Sequence, residues 1–403
     1  MTRIVLKTHI LIIFVILAQA CCSLQENRLE RMIDKAFSNA IEQYGALADS
    51  LLREAPGMLP HSLQEDGQIT LVKPAGWTSG FFPGSLWYIY EYSGDERFRE
   101  LAEKYTAYLS DQQFNRGTHD VGFMMYCSYG NGMRISPDST KRSILIASAE
   151  SLVSRFNPAV GCIKSWDREV KPGWRYPVII DNMMNLELLL WASEETGDSK
   201  FEEVAKTHSN TTIRNHFRLD NSSYHLVNYD GETGDVLFRG TVQGLSDDSA
   251  WARGQGWGLY GFTMLYRFTK DESYLNKAKA IAGYIMSRPT MPRDRIPYWD
   301  FMADDETSPR DASAASVYAS ALLELSGYVD KTNRNRYIQY AIDILRSLSG
   351  PRYTAAPGTN GRFLLRHSVT SFPKGSEVDR PLNYADYYYL EALMRLRAVI
   401  NNR

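Results

Sequence analysis

Gly94-Asp95-Glu96-Arg97-Phe98, followed by Leu101-Ala102, is a short figure that the chain repeats. It returns as Gly197-Asp198-Ser199-Lys200-Phe201 with Val204-Ala205, and as Lys270-Asp271-Glu272-Ser273-Tyr274 with Lys277-Ala278. A looser copy runs from Tyr328-Val329-Asp330 to Tyr337. In each copy one helix ends, an Asp offers its side-chain oxygen to the free N–H groups of the next, and that helix carries an aromatic in its first turn. Such turns are ordinary chemistry taken singly. Their recurrence at matching places in helical hairpins implies a repeat, and so a helical array or toroid.

Working outward, apolar residues recur at helical spacing from Leu29 through Met32, Ile33 and Ala36 to Leu47. The same spacing predicts helices near 84–92, 96–110, 141–156, 181–195, 199–217, 254–268, 273–287, 312–328, 334–348 and 384–399. Loops bearing Pro and Gly separate them. No long alternating run demands a sheet, although short strands fit 224–242 around Asp230-Gly231. The expectation is an all-α fold, an (α/α)6 barrel of six hairpins in a ring, with an open solenoid as the alternative. Residues 26–403 are expected to form one such domain, since no linker or low-complexity stretch interrupts them.

The chain has 403 residues, 44% hydrophobic and 23% charged, enough apolar material for a large core. A formal net charge of -2 supplies no global basic field, so nucleic acid is not an expected partner. The 8 Trp and 25 Tyr suit a core, and equally a sugar-binding cleft where flat rings stack on sugar faces. At the N-terminus, Arg3 and Lys7 precede an apolar run from Ile10 to Leu17 that is too short to span a bilayer. Ala18-Gln19-Ala20 then gives a small-residue cleavage pattern directly before Cys21. Residues 1–20 are therefore expected to be an export signal of lipoprotein type, with a lipid on Cys21 and a periplasmic or outer-membrane-anchored product. Soluble secretion after Ala20 is the alternative. Cys127 and Cys162 are expected as buried thiols. No Cys or His spacing suggests a metal, so neither metal nor cofactor is expected.

Four stretches carry too much Trp, Gly and charge to be helix alone. Gly76-Trp77-Thr78-Ser79-Gly80-Phe81-Phe82-Pro83-Gly84 is a glycine-rich loop ahead of a helix, with Trp77 at its tip; its glycines would let a ligand approach the backbone. His119-Asp120-Val121-Gly122-Phe123 is the second. The third, Asp181-Asn182-Met183-Met184-Asn185-Leu186-Glu187, places Asp181 at the start of an apolar helix. A helix cap is the ordinary role for such an Asp. Yet Asp120 and Asp181 each open a hairpin, so in a ring both could point into one end, and paired carboxylates are the usual equipment of glycosidic chemistry. In the fourth, Ser249-Ala250-Trp251-Ala252-Arg253-Gly254-Gln255-Gly256-Trp257, Arg253 and Trp257 share a helix face. A guanidinium there could grip a sugar carboxylate in bidentate fashion, or could simply close a packing gap as a cation–π pair.

Together, in this order, these stretches resemble the unsaturated glucuronyl hydrolases, glycoside hydrolase family 88. The likeness runs from about Trp77 to the end and includes Asn383-Tyr384-Ala385-Asp386-Tyr387. It implies an (α/α)6 barrel and a metal-free hydrolase that removes a Δ4,5-unsaturated uronic acid from lyase-generated oligosaccharides, with glycosaminoglycan fragments as the expected partners. It further implies Asp181 as general acid and base and Asp120 as a second essential carboxylate. His119, His225, Gln243 and Arg253 would contact the unsaturated sugar, and Trp77 and Trp257 would form aromatic walls. Lys374 is the candidate contact for a sulfate on the neighbouring sugar. Two alternatives stand beside this reading: an unsaturated rhamnogalacturonyl hydrolase acting on pectin fragments, and a sugar-binding lipoprotein without activity.

Overall fold

The computed structural model describes residues 2–167, 172–303, 305 and 307–402, with side chains from Glu26 onward. The leader reading, Cys21 included, falls on side chains outside the described ones. Helices come in pairs joined by long loops. α1 (Thr2–Glu54) leads to α2 (Phe81–Ser93). α3 (Glu96–Ala107) leads to α4 (Val121–Met125), which continues through a π turn at Tyr126–Gly130 into α5 (Asn131–Ile135). Then follow α6 (Ser139–Val153) with α7 (Asn182–Thr196), and α8 (Ser199–Asn215) with α9 (Ala252–Thr269). The last pairs are α10 (Glu272–Ser287) with α11 (Ala312–Leu325), and α12 (Lys331–Leu348) with α13 (Asn383–Asn401).

The second member of each pair forms the inner wall. α2, the α4–α5 unit, α7, α9, α11 and α13 pack side by side, and α13 returns to α2, so the ring is closed and the open solenoid is excluded. Composition explains the sorting. In α11, Ala-Ser-Ala-Ala-Ser-Val-Tyr-Ala-Ser-Ala-Leu-Leu-Glu-Leu is apolar or small all round, and every residue but Glu324 is buried. In α12, Tyr337, Ile338, Ala341, Ile342, Ile344, Leu345 and Leu348 form one stripe while Lys331, Asn335 and Arg336 face solvent. A helix wetted on one side belongs outside; one buried all round belongs within.

The repeated figure sits at the turns from inner to outer helix. Gly94, Gly197 and Lys270 close α2, α7 and α9 in the left-handed conformation, at φ 66, 73 and 55. Asp95, Asp198, Asp271 and Asp330 then accept hydrogen bonds from the first-turn N–H groups of α3, α8, α10 and α12. Asp138 does the same for α6. These turns are short because nothing else is asked of them.

At the other end the loops are long and hold all the described strands. β1 (Leu59–Leu63) pairs with β2 (Ile69–Val72), β3 (Phe156–Asn157) with β4 (Cys162–Ile163), and β8 (Ser368–Ser371) with β9 (Ser376–Arg380). β5 (Tyr176–Ile179), β6 (Leu226–Tyr229) and β7 (Val236–Gly240) make an antiparallel sheet with Val178 opposite Val227. The strands expected in 224–242 are β6 and β7; the others extend the all-α expectation without entering the barrel wall. Cys127 and Cys162 are free, buried thiols, as expected. Among the described residues no helix is long and apolar enough to cross a membrane.

Candidate functional site

Because every inner helix follows a long loop, their N-termini converge on one end of the ring, where the exposed N–H groups favour negative charge. Asp120 stands before α4, Asp181 before α7, Trp251 and Arg253 at the start of α9, Asp311 before α11, and Asn383 opens α13.

Asp181 occupies the cap position of α7 but makes no capping hydrogen bond, and Asp120 likewise makes none for α4. This separates them from Asp95, Asp138, Asp198, Asp271, Asp311 and Asp330, all of which cap. Asp181 is 7% exposed, and its Oδ2 has no hydrogen-bond partner. Burial drives its pKa up to about 7; Arg253 opposes the rise, Asp120 adds to it, and the Trp257 indole N–H tempers it without forming a complete hydrogen bond. A carboxylic acid held this way exchanges its proton near neutral pH.

Each carboxylate has a histidine beside it. His225 Nε2 lies 3.6 Å from Asp181 Oδ2. The Val242 N–H donates to His225 Nδ1 at 3.1 Å, so the ring proton sits on Nε2, the nitrogen nearer Asp181, without closing a hydrogen bond to it. Burial first, then the charges of Arg253 and Lys374, pull the pKa of His225 down to about 3, so the ring is a neutral donor. His119 Nε2 lies 3.3 Å from Asp120 Oδ1, and burial also lowers its pKa. Thr118 donates its hydroxyl to Asp120 Oδ2 at 2.7 Å.

Arg253 is buried, 1% exposed, with its guanidinium over the rings of Trp251 and Tyr384. Both terminal nitrogens of its fork are already engaged. Nη1 donates to Asp311 Oδ2 at 3.0 Å, to Ser313 Oγ at 3.2 Å and to the Val369 carbonyl; Nη2 donates to Thr370 O at 2.8 Å. Both Nη atoms anchor the β8–β9 hairpin over the site, the Nε–H is left without a partner among the described residues, and the guanidinium acts on Asp181 through its charge. Gln243 serves the same hairpin, donating from Nε2 to Thr370 O at 2.8 Å.

Trp77 is half-buried, 5.1 Å from Tyr384 and 5.8 Å from Phe123 between ring centres, and is placed to form a wall. Trp257 lies one turn deeper than Arg253 on α9 and is fully buried against Phe123 and Tyr388. It lies under the site instead of beside it, so its expected place as an open wall is corrected. The glycine-rich loop is corrected as well: a Cβ on Gly80 would lie 2.3 Å from Met124 O, so this glycine admits α4 and not a ligand. Lys374 is exposed in the turn Phe372–Lys374 at the rim, near enough for its charge to reach His225. Among the described residues no group of His, Cys, Asp and Glu could hold a metal ion.

Several participants carry no signal that singles them out in the sequence. Asp311 looks like a cap and is one, accepting from Ser313 N–H at 3.0 Å, while its other oxygen holds Arg253. Thr370 acts through its backbone. His61, 3.7 Å from Glu377, joins β1 to β9 at the rim and holds the Glu377 carboxyl down at about 2.

The family model described as Glycosyl Hydrolase Family 88 matches residues 49–391. An unsaturated glucuronyl hydrolase of Formosa agariphila is 41% identical over 380 residues, 93% of this chain and 93% of the relative. An unsaturated chondroitin disaccharide hydrolase of Streptococcus pneumoniae is 33% identical over 367 residues, covering 88% and 92% of the two chains. The crystal structure of an unsaturated glucuronyl hydrolase specific for heparin matches with a TM-score of 0.88 at 49% identity, over 92% of this chain and 98% of that one.

Proposed function

The chain belongs to glycosyl hydrolase family 88, and from that premise we propose that it removes a Δ4,5-unsaturated glucuronic acid from the non-reducing end of glycosaminoglycan oligosaccharides. It is a glycoside hydrolase, which sets aside the binding protein without activity; the glucuronyl relatives favour this substrate over pectin fragments. The observation that carries the reading is Asp181: a buried carboxyl with a proton near neutral pH, a free Oδ2, and a second carboxylate close enough to raise it.

In the substrate the C4=C5 bond is conjugated to the ring oxygen as a vinyl ether. Asp181, protonated, delivers its proton to C4, and positive charge develops at C5, shared with the ring oxygen. Water attacks C5 and gives its proton to the Asp181 carboxylate. The hemiketal so formed opens to a ketone at C5, and the neighbouring sugar leaves from C1. One group thus serves as acid and then as base, which demands a pKa near the working pH. The Nε2–H of neutral His225 steadies the carboxylate, and Asp120 holds the proton on Asp181 before reaction. Trp77 supplies a face for the sugar ring, and Lys374 a positive charge for a sulfated neighbour.

The test is loss of the ultraviolet absorbance of the conjugated bond when protein is added to unsaturated disaccharides from heparin and from chondroitin. Turnover of either supports the reading; turnover only of pectin-derived unsaturated disaccharides would overturn it. The 49% identity to the heparin-specific relative, against 33% to the chondroitin enzyme, favours faster turnover of the heparin-derived substrate. Export through residues 1–20, with a lipid on Cys21, is part of the same proposal: the protein should take up labelled fatty acid, and Cys21→Ala should not.

A further inference from the structure

We infer that Asn185 is a positioning residue for the acid pair, locking His119 in one tautomer and pinning the helix of Asp120 to the helix of Asp181. The inference rests on the reading of those two carboxylates given above.

Asn185 lies on α7, one turn beyond Asp181, and is fully buried. Its Oδ1 accepts the Phe123 N–H at 2.7 Å, in the first turn of α4. That bond settles which end of the amide is oxygen. Nδ2 must then be the group that faces His119 Nδ1 at 3.5 Å and the Asp181 carbonyl at 3.4 Å. An NH2 group can only donate, so His119 Nδ1 must present its lone pair. The ring proton is left on Nε2, 3.3 Å from Asp120 Oδ1 without closing a hydrogen bond to it, and the Asn182 side chain is a second acceptor acting on the ring.

The same arrangement holds at the other carboxylate, where the Val242 N–H fills the role of the Asn185 amide and sends the His225 proton toward Asp181. Two imidazoles thus each place Nε2 beside one acid, at 3.3 and 3.6 Å and short of a complete hydrogen bond, and a different donor faces the Nδ1 of each. Packing supports the pin independently. A Cβ on Gly122 would lie 2.4 Å from Asn185 Cα and 2.7 Å from its carbonyl oxygen, so α4 and α7 touch backbone to backbone at this point. A side chain at 122, or a longer one at 185, would spread the two helices that bear the acids.

Asn185→Asp keeps an oxygen for the Phe123 N–H and removes the donor to His119. A residue that merely packs would tolerate this change. A positioning residue would not, because a carboxylate facing His119 Nδ1 calls the ring proton to the wrong nitrogen. We expect kcat to fall by roughly 10- to 100-fold with KM within about threefold of wild type, on heparin- or chondroitin-derived unsaturated disaccharide. Wild-type kcat in folded Asn185→Asp would overturn the proposal. Nitrogen-15 NMR of histidine-labelled wild-type protein, without substrate, reads the tautomer whether or not the variant folds. His119 protonated on Nε2 is the expected result, and protonation on Nδ1 would overturn it. Failure of wild-type protein to turn over any unsaturated disaccharide would instead remove the reading of the site, and leaves the tautomer measurement standing as a separate result.

Discussion

A single carboxyl, Asp181, sets both the activity and part of its cost in stability. With its proton leaving at about pH 7, the acid form is lost as pH rises through that value, so kcat/KM should fall on an alkaline limb centred near there. Asp181→Asn should lower kcat by about 10⁴ or more with binding largely kept, because the amide neither gives nor takes the proton. A limb that persists in Asp181→Asn residual activity would point to another acid. Stability should move the other way. The unfolded chain releases this proton near pH 3.9, the folded chain near 7, so between those values folding retains a proton and stability falls as pH rises. At pH 8 the native state holds a buried charge that Asn185's neighbour at 181 would not carry once changed to amide. Asp181→Asn should therefore be more stable than wild type at pH 8, by on the order of 1–3 kcal/mol, with the gain shrinking toward pH 4. Urea melts at both pH values check this; an equal effect at both would refute the buried-charge account. In the sequence the two acids were legible as carboxylates at hairpin starts. What could not be read was that they decline to cap, since that depends on where the side chain turns. Arg253 was legible as a site residue but not its engagement, because Asp311 lies 58 positions away and shows only the signature of a cap.

Helices and turns follow local chemistry closely, which is why the sequence foretold them. Asp198 accepts from the Lys200 N–H at 3.0 Å in an exposed turn far from the site. Its replacement by Ala should destabilise the fold by about 1 kcal/mol and leave kcat unchanged. The third copy of the turn departs from the other two: Lys270 stands in the left-handed conformation that Gly94 and Gly197 fill. A Cβ there is disfavoured by about 1 kcal/mol. The Lys270 ammonium recovers a little by donating to Arg267 O at 2.7 Å and lying over Tyr266 and Tyr328. Lys270→Gly should still be neutral to stabilising, by up to about 1 kcal/mol, in thermal melts; a loss larger than that would mean the ammonium contacts outweigh the backbone strain. The α4–α5 unit and most strands were harder to foresee. Its helix is broken by a π turn and rich in Gly, and the strands run 2–5 residues, too short for alternation to show. They exist because loops that must reach over the ring pair their backbone polar groups with one another.

Across the whole molecule, closing the ring divides labour between its ends. Inner N-termini gather loops, carboxylates and histidines at one mouth. The opposite mouth receives the C-terminal ends of the same helices, and a cavity of about 760 Å³ opens there, reaching inward to Phe123. Much of the polar lining is paired. Arg395 bridges Glu324 at 2.8 Å and Glu391 at 3.6 Å, and Arg267 lies 3.2 Å from Glu324 and also pairs with Glu187. Glu391 further accepts from Tyr88 at 2.9 Å, from Tyr260 at 3.0 Å and from Ser320. Cations near helix C-termini offset the negative ends of the dipoles, so this network belongs to stability. Glu391→Ala would leave three buried hydroxyls and part of a guanidinium without their acceptor, and should destabilise by about 3–5 kcal/mol. Because Glu391 sits two turns down α13 from Asn383, far along the barrel from the acids, kcat measured where the variant is still folded should stay within about twofold of wild type. Matched urea melts and turnover on one unsaturated disaccharide decide the point. A fall in kcat parallel to the fall in stability would mean that the two mouths are mechanically joined through the inner helices, and that the acid pair depends on the far end of the ring as well as on its own loops.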